Sequence, residues 1–215
     1  MKKVAIIGRV THPHECPRSN RIKYLAIELV RQGYDVTVFC LLGNYNYEHF
    51  TNTYGVKIEN LGKSYLGNGN SDTGKQSTKF IFRFFKRLFG RVFMFPEIEL
   101  IYLIYKNRFK ILNHDILISV AAPFAIHFGV NSIYDKKRLW ISDCGDPFMG
   151  NPHYSYPFYF KFLENSWIRN TNFVTVPTKK AIFAYSKEHR NKIFVIPQGF
   201  PKIDNLKDNY NGNEI

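Results

Sequence analysis

Two carboxylates, Asp143 and Asp146, lie three positions apart in the stretch LWISDCGDPF, residues 139–148. The first residues of this stretch are mostly apolar, which predicts a buried strand with Asp143 at its carboxyl end, where α/β proteins bind their ligands. A carboxylate there could take a proton from a hydroxyl as a general base if burial raised its pKa. The alternative is structural, with Asp143 capping the turn and Asp146 forming an Asx turn before Pro147. The pattern alone leaves both interpretations open.

Two arginines, Arg18 and Arg21, lie between the first predicted strand and the first predicted helix. This segment has no glycine after Gly8, so it lacks the GxGxxG turn with which Rossmann enzymes hold a dinucleotide pyrophosphate. Ser19 or Asn20 could cap the helix, and the arginines could then bind a phosphate. The alternative is an ordinary capped helix whose arginines are solvated.

A serine and a histidine, Ser119 and His127, fall at the end of another predicted strand and one turn into the helix that follows it. Pro123 suits the first turn of that helix. Ser119 has no GxSxG elbow around it, which argues against a hydrolase nucleophile. His127 is a secondary candidate for ligand binding, because a single histidine in such a place is more often structural.

The composition indicates one packed domain that attracts anionic partners. The chain has 215 residues, of which 45% are hydrophobic and 17% aromatic, enough for one well-buried core. Thirty Lys and Arg against seventeen Asp and Glu give a net charge of +13, which favours phosphates or anionic lipids as partners. Cys16, Cys40 and Cys144 have no CxxC or His-Cys spacing that would suit a metal or a redox pair, so we expect a reduced, cytosolic setting and no metal. No cofactor is expected either. The apolar runs are too short for a signal peptide or a membrane span.

Short apolar runs alternate with helical patterns through most of the chain. The clearest helix has apolar residues at i, i+3, i+4, i+7 and i+8 from Ile22, and Gly33 follows as a stop signal. Apolar strands separated by helices predict a Rossmann-like, three-layer α/β domain with a mainly parallel sheet, whose ligands bind beyond the carboxyl ends of the strands. The predicted strands are 4–8, 35–40, 115–120, 138–142, 173–177 and 192–197. The loops that follow on the ligand side are 9–21, 41 onward, 121–127, 143–156 and 178 onward.

The stretch KFIFRFFKRLFGR, residues 79–91, contains five basic residues, five phenylalanines and no acid. As a helix it would carry Lys79, Arg83, Lys86 and Arg87 along one stripe, with apolar side chains opposite. This pattern is typical of a helix that lies in a membrane interface with its cations toward anionic headgroups. The alternative is a surface helix whose phenylalanines join the core.

Five blocks of the sequence resemble, in the same order, blocks of the N-terminal domain of glycosyltransferase family 4. They are RQGYDVTVF, FPEIELIYLIYKNRFKILNHDILISVAAPFAIHFG, LWISDCGDPF, FVTVPTKKAIFAY and IFVIPQGF, which begin at positions 31, 95, 139, 173 and 193. The resemblance spans about residues 1–200. The chain departs from the family pattern at Gly145 (Arg in the family), Phe148 (Trp) and Gln198 (Asn).

Members of this family have the GT-B fold, in which two Rossmann-like domains face each other across a cleft and transfer a sugar from a nucleotide-sugar donor without a metal. The resemblance implies that residues 1–200 are the N-terminal, acceptor-binding domain and that residues 201–215 are a linker toward an absent second domain, which holds most of the donor. It implies that the parent protein is a bacterial-type glycosyltransferase that acts on a polysaccharide or lipid-linked acceptor. This chain alone is expected to be inactive. The expected location is cytoplasmic, and the alternative is peripheral binding to the inner face of the membrane through residues 79–91.

The resemblance also assigns roles to the candidate residues. Asp143 is expected to contact the acceptor or orient its nucleophilic hydroxyl, so Asp143→Asn in a complete, active protein is expected to lower turnover by orders of magnitude with the fold intact. The expected substrate-binding residues are Asp146, His127, Arg18, Arg21 and Ser119. One alternative is a stand-alone flavodoxin-like module that binds an anion or nucleic acid, but no RRM, helix-turn-helix or KH signature is present and no nucleic acid is expected. Another is a different GT-B enzyme, such as a phosphorylase or a nucleotide-sugar epimerase.

Overall fold

The computed structural model describes residues 1–64, 90, 94, 97–151 and 156–197, which form a parallel sheet with helices on both faces. Seven strands lie in the order β3-β2-β1-β4-β5-β6-β7. The strands are β1 (Lys3–Ile7), β2 (Asp35–Cys40), β3 (Lys57–Asn60), β4 (Ile116–Ala121), β5 (Leu139–Cys144), β6 (Phe173–Val176) and β7 (Ile193–Val195). The helices are α1 (Pro17–Arg31), α2 (Glu48–Tyr54), α3 (Glu99–Lys106), α4 (Arg108–Ile111), α5 (Ala125–Ile133), α6 (Phe160–Asn170), α7 (Lys179–Ile182) and a 3-10 helix at Lys187–Lys192. The predicted Rossmann-like, three-layer α/β class is confirmed.

Two hydrophobic cores lie on the two faces of the sheet, because successive strand side chains point to opposite faces. Val4 and Ile6 of β1 join one core, which α1 and α2 cover, while Ala5 and Ile7 join the other, which α3 to α6 cover. All four side chains are almost completely buried. Burying one Val or Ile side chain contributes about 1.5–3 kcal/mol, so both faces of each central strand stabilise the sheet.

All six predicted strands are present, with ends that differ by a few residues at most. β3 was not predicted from the sequence, because its residues Lys57–Asn60 are mainly polar. In the described part of the chain this strand lies at the edge of the sheet and pairs only with β2, so it needs no continuous apolar run. The predicted stop of α1 is also confirmed, since Gly33 follows the helix with a φ of +87°, a conformation that glycine adopts readily.

The start of α1 differs from the prediction. Cys16 is the N-cap, its sulfur accepts a hydrogen bond from the backbone N–H of Ser19 at 3.4 Å, and Pro17 takes the first helical position. Proline fits there because the first N–H groups of a helix have no intrahelical partner. The prediction that Ser19 or Asn20 caps the helix was wrong: Ser19 is buried in the first turn and donates its hydroxyl to the carbonyl of His14.

The chain order creates a switch point between β1 and β4. From β1 the chain first builds outward through β2 and β3, and then returns to add β4 to β7 on the other side of β1. The connections after β1 and β4 therefore leave toward opposite faces, which opens a crevice beyond the carboxyl ends of these strands. This crevice is where the architecture predicts a ligand.

Two predicted segments lie outside the described residues. These are the basic aromatic stretch 79–91, apart from Gly90, and the tail 201–215 that was interpreted as a linker. None of the helices in the described segments is long and apolar enough to cross a bilayer.

Candidate functional site

A cleft of about 990 Å³ lies at the carboxyl edge of the sheet, beside the β1/β4 switch point. Its walls include Arg9, the first turns of α1, and residues 121–124, 145–147 and 177–178, which follow β4, β5 and β6. Four of the five loops selected from the sequence therefore line it. The loop after Leu41 contributes no lining residue. Glu97 also lines the cleft and was not among the predicted site residues.

Asp143 forms a buried ion pair with Arg21 beneath the cleft. Arg21 donates from Nε to one carboxylate oxygen and from Nη2 to the other, and Thr175 donates its hydroxyl to the same oxygen as Nη2. The side chain of Asp143 is 5% exposed and that of Arg21 is 15% exposed. Both carboxylate oxygens are thus occupied, and Asp143 is absent from the residues that line the cleft.

The pairing fixes the orientation of the Arg21 guanidinium. A guanidinium has five N–H groups, of which the carboxylate takes one on Nε and one on Nη2. The Asp143 hydrogen bonds raise the pKa of Arg21, so this side chain stays charged. Arg21 lines the cleft and is therefore a positioned donor with N–H groups available to a ligand.

Among the described residues, four more charged side chains line the cleft. Arg9 and Glu97 form a partly exposed ion pair at 3.6 Å between Nη1 and Oε1. Arg18 and Asp146 are exposed, and within the described segments neither forms an ion pair or a hydrogen bond. Among the described residues, the cleft therefore offers an unpaired cation and an unpaired carboxylate to a ligand.

A buried glutamate holds the loop that carries Asp146. Glu164 of α6 is fully buried and accepts hydrogen bonds from the backbone N–H of Met149 at 3.1 Å and from Lys161 Nζ at 2.6 Å. Phe148 in the same loop is also buried, and its ring packs 4.5 Å from that of Phe124. The loop after β5 is thus anchored through Phe148 and Met149, close to Asp146.

Ser119 and His127 lie where the sequence predicted, near the end of β4 and in the first turn of α5, but both are fully buried in the core. Neither is among the residues that line the cleft, so the substrate contact predicted for them has no support in this geometry. Pro123 lies two residues before α5 rather than in its first turn, and it lines the cleft.

A hydrogen-bonded network satisfies these two side chains. Ser119 Oγ accepts a hydrogen bond from Trp140 Nε1 at 2.8 Å and lies 2.8 Å from His127 Nδ1, while His127 Nε2 lies 3.4 Å from Cys144 Sγ. All groups are paired when Ser119 donates to Nδ1 and Nε2 donates to the sulfur, which assigns the proton to Nε2. Burial lowers the pKa of His127 to about 3, so the ring is neutral and structural.

No group of three or more His, Cys, Asp or Glu that could hold a metal occurs among residues 1–64, 90, 94, 97–151 and 156–197. Burial raises the pKa of the Cys40 thiol to about 12 and also raises that of Cys144. These two cysteines are therefore protonated core residues.

Thr175 completes the Asp143 site and was not among the residues predicted from the sequence. A signal was present, because the strand FVTVP ends on the ligand side and its register puts Thr175 opposite Asp143 on neighbouring strands. The pairing of β5 with β6 was needed to recognise it.

No protein-family model matches the sequence, and no curated protein sequence matches it. Solved structures match the fold. Anabaena HepE in complex with UDP and glucose has a TM-score of 0.52 and 11% identity, with 93% of this chain and 45% of HepE covered. A glycosyltransferase from Rickettsia africae has a TM-score of 0.51 and 16% identity, with 92% and 43% covered, and S. aureus MnaA with UDP has a TM-score of 0.51 and 11% identity, with 91% and 43% covered.

These similarities define the class of the fold. The chain has a Rossmann-like α/β fold that it shares with these three proteins, and it spans less than half the length of each of them. Identities of 11–16% show the fold alone. The assignment to glycosyltransferase family 4, which came from the five sequence blocks, stays a prediction.

Proposed function

We propose that this chain is the acceptor-binding domain of a glycosyltransferase that transfers a sugar from a nucleotide-sugar donor to a polysaccharide or lipid-linked acceptor. The observation that supports this most is the cleft at the carboxyl edge of a glycosyltransferase-like fold. Its volume of about 990 Å³ is at the upper end of the range for small-molecule sites, which leaves room for a sugar with attached groups.

Asp146 is the carboxylate that we propose to accept a hydrogen bond from a hydroxyl of the acceptor. It lines the cleft, it is exposed, and the described residues leave its oxygens unpaired. A carboxylate in such a position also suits the general-base role that was first considered for Asp143.

Asp143 remains the residue that the sequence predicts to be catalytic. With both of its oxygens held by Arg21 and Thr175, a direct contact between Asp143 and the acceptor requires Arg21 to swing away. The geometry better supports an indirect role, in which Asp143 positions Arg21 and Arg21 binds the substrate. Ser119 and His127 stay outside the proposed site because they are fully buried.

We attribute most of the donor contacts to a second domain, following the GT-B arrangement that the sequence resembles. Sugar transfer needs the donor carbon and the acceptor hydroxyl in line, and much of the rate enhancement comes from that alignment. The 215-residue chain alone is therefore expected to transfer negligible sugar in an assay with radiolabelled nucleotide sugars.

Residues 79–91 and the net charge of +13 support a place of action at the cytoplasmic face of an anionic membrane. Sedimentation with liposomes tests this proposal. We expect the chain to sediment with vesicles that contain phosphatidylserine and to stay in the supernatant with pure phosphatidylcholine. Equal behaviour with the two kinds of vesicle would remove membrane binding from the proposal.

The acceptor-binding function is tested by NMR titration of the 215-residue chain with a panel of neutral mono- and disaccharides. We expect saturable shifts of the backbone amides of Gly145 and Asp146 in the cleft wall, and none at residues 113–115 on the opposite edge of the sheet. Asp146→Asn is expected to weaken binding about tenfold, because a hydrogen bond to a charged group contributes about 1.5–3 kcal/mol.

The matched control is Asp35→Asn, which removes the same charge at the amino end of β2, where Asp35 pairs with Lys57. It should bind sugars like the original protein. Equal affinities of the two variants, or shifts confined to residues outside the cleft, would overturn the proposed function.

A further inference from the structure

Two arginines lie side by side on the face of α1 that forms one wall of the cleft. Arg18 and Arg21 are three positions apart, so they are neighbours on the helix surface, and both line the cleft. The first turn of α1 contains no acidic residue, so no carboxylate of that turn competes for them.

The two side chains differ in how they are held. Arg21 is clamped through Nε and Nη2 by Asp143, which Thr175 holds in turn, so its remaining N–H groups have a fixed direction. Arg18 is exposed and has no ion-pair partner within the described segments. Arg21 is thus a rigid hydrogen-bond donor, and Arg18 beside it is a donor that can adjust its position.

Arg18 is the charged side chain of this wall that leaves room for an anionic ligand, because among the described residues it has no carboxylate partner. Asp143 balances Arg21, and Glu97 balances Arg9 across a separation of 3.6 Å. The Arg9–Glu97 pair is partly exposed, and such pairs contribute only about 0–1 kcal/mol, so Arg9 can exchange Glu97 for a stronger anion at little cost. Asp146 is the cleft carboxylate that the described residues leave unpaired, and it suits a hydroxyl rather than an anion.

We propose that the cleft binds a phosphoryl group between Arg18 and Arg21, with Arg9 as a third contact. Arginine suits this ligand because its planar N–H groups match the oxygens of a phosphate. This inference rests on the proposed function and deepens it, since it predicts that the substrate bound at the same site carries a phosphoryl group. The phosphoryl group belongs either to a phosphorylated acceptor or to the diphosphate of a nucleotide-sugar donor.

Isothermal titration calorimetry of the 215-residue chain at low salt tests the proposal. The probes are inorganic pyrophosphate, glucose 1-phosphate and UDP. We expect saturable binding of pyrophosphate, and we expect Arg18→Gln to weaken it about tenfold, because it removes a charge-assisted hydrogen bond from an exposed side chain without disturbing the core.

The control is Arg31→Gln, which removes the same charge at the other end of α1, where the side chain is 77% exposed and pairs with Glu28. This variant should bind pyrophosphate within about twofold of the original protein. Similar losses in Arg18→Gln and Arg31→Gln would mean a general charge effect and would overturn the proposal. Absence of saturable binding of all three probes would also overturn it.

Thr175 serves as a positioning residue in this site, because it contacts Asp143 and acts through Arg21. Thr175→Val removes its hydroxyl and is expected to weaken pyrophosphate binding several-fold, whereas Thr175→Ser keeps the hydroxyl and should restore the affinity. Weak binding by the serine variant as well would show that the methyl packing of Thr175 matters rather than its hydrogen bond, and would overturn this role.

The probes also separate the two sources of the phosphoryl group. Tighter binding of glucose 1-phosphate than of UDP assigns the site to the acceptor, and the reverse order assigns it to the donor. The neutral sugars used to test the proposed function carry no phosphate, so they can bind in the cleft even when the phosphoryl site is absent. Failure of the phosphoryl site is therefore distinguishable from failure of the proposed function.

Discussion

Replacement of Asp143 by Asn measures how much the fold depends on the buried ion pair with Arg21. An amide has one oxygen in place of two, so if that oxygen serves Thr175 and Arg21 Nη2, the amide N–H groups face Arg21 Nε. A donor then opposes a donor, and a charged guanidinium loses its counter-ion in a site where its side chain is only 15% exposed.

The expected cost follows from the burial of the pair. Breaking a fully buried ion pair costs about 3–5 kcal/mol. Arg21 retains some access to water and the introduced amide retains one acceptor oxygen, so we expect a loss of about 2–3 kcal/mol in the free energy of unfolding. Domains are stable by about 5–15 kcal/mol, so the variant should fold and be measurably weaker.

Urea unfolding followed by tryptophan fluorescence gives the measurement, since Trp140 and Trp167 are both fully buried. With a slope of about 2–3 kcal/mol per molar urea, the midpoint of Asp143→Asn should fall by about 1 M. The control Asp35→Asn breaks a surface pair with Lys57 and should shift the midpoint far less. A shift for Asp143→Asn no larger than that of the control would refute the reasoning.

The same experiment bears on catalysis. From the sequence resemblance, Asp143→Asn in a complete enzyme is expected to lower turnover with the fold intact, and the buried ion pair with Arg21 adds a loss of stability to that expectation. Addition of Arg21→Gln to the variant removes the unpaired charge and should recover part of the stability. Because Asp143→Asn is expected to be less stable, turnover must be compared under conditions in which each variant is fully folded.

Two further predictions concern the core and the loop after β5. The pKa of His127 is about 3 in the folded protein against an ordinary value of 6.5, so between these values the unfolded chain binds a proton that the folded chain does not. The stability that the neutral His127 ring contributes is therefore complete above pH 6.5 and is lost as the pH falls toward 3. The slope reaches about 1.4 kcal/mol per pH unit, and urea midpoints at about pH 4.5, 5.5 and 7 should vary less in His127→Asn; an unchanged pH dependence would contradict the assignment. A Cβ on Gly150 would lie 2.5 Å from the carbonyl oxygen of Ala184, so Gly150→Ala should lower stability by about 1–3 kcal/mol. Gly43→Ala, where a Cβ meets no atom within 4 Å, is the matched control, and equal thermal midpoints for the two variants would contradict the clash.

The order of strands and helices could be predicted because burial on both faces of a parallel strand leaves a local trace in the sequence. β2, for example, is apolar through most of Asp35–Cys40 and was predicted with its observed ends. β3 left no such trace, since an edge strand with polar residues is stabilised by its backbone pairing with β2. Its existence depends on a neighbour that lies elsewhere in the sequence.

The sequence by itself determined the α/β class, the ligand-side loops and the position of Asp143 near the end of β5. These follow from local periodicity and from the geometry common to parallel sheets. Only the tertiary structure decided that Asp143 pairs with Arg21, 122 positions away, and that Ser119 and His127 lie in the core instead of the cleft. The physical reason is that a side chain's partner and burial depend on which elements pack together, and that packing joins residues whose separation along the chain carries no local signal.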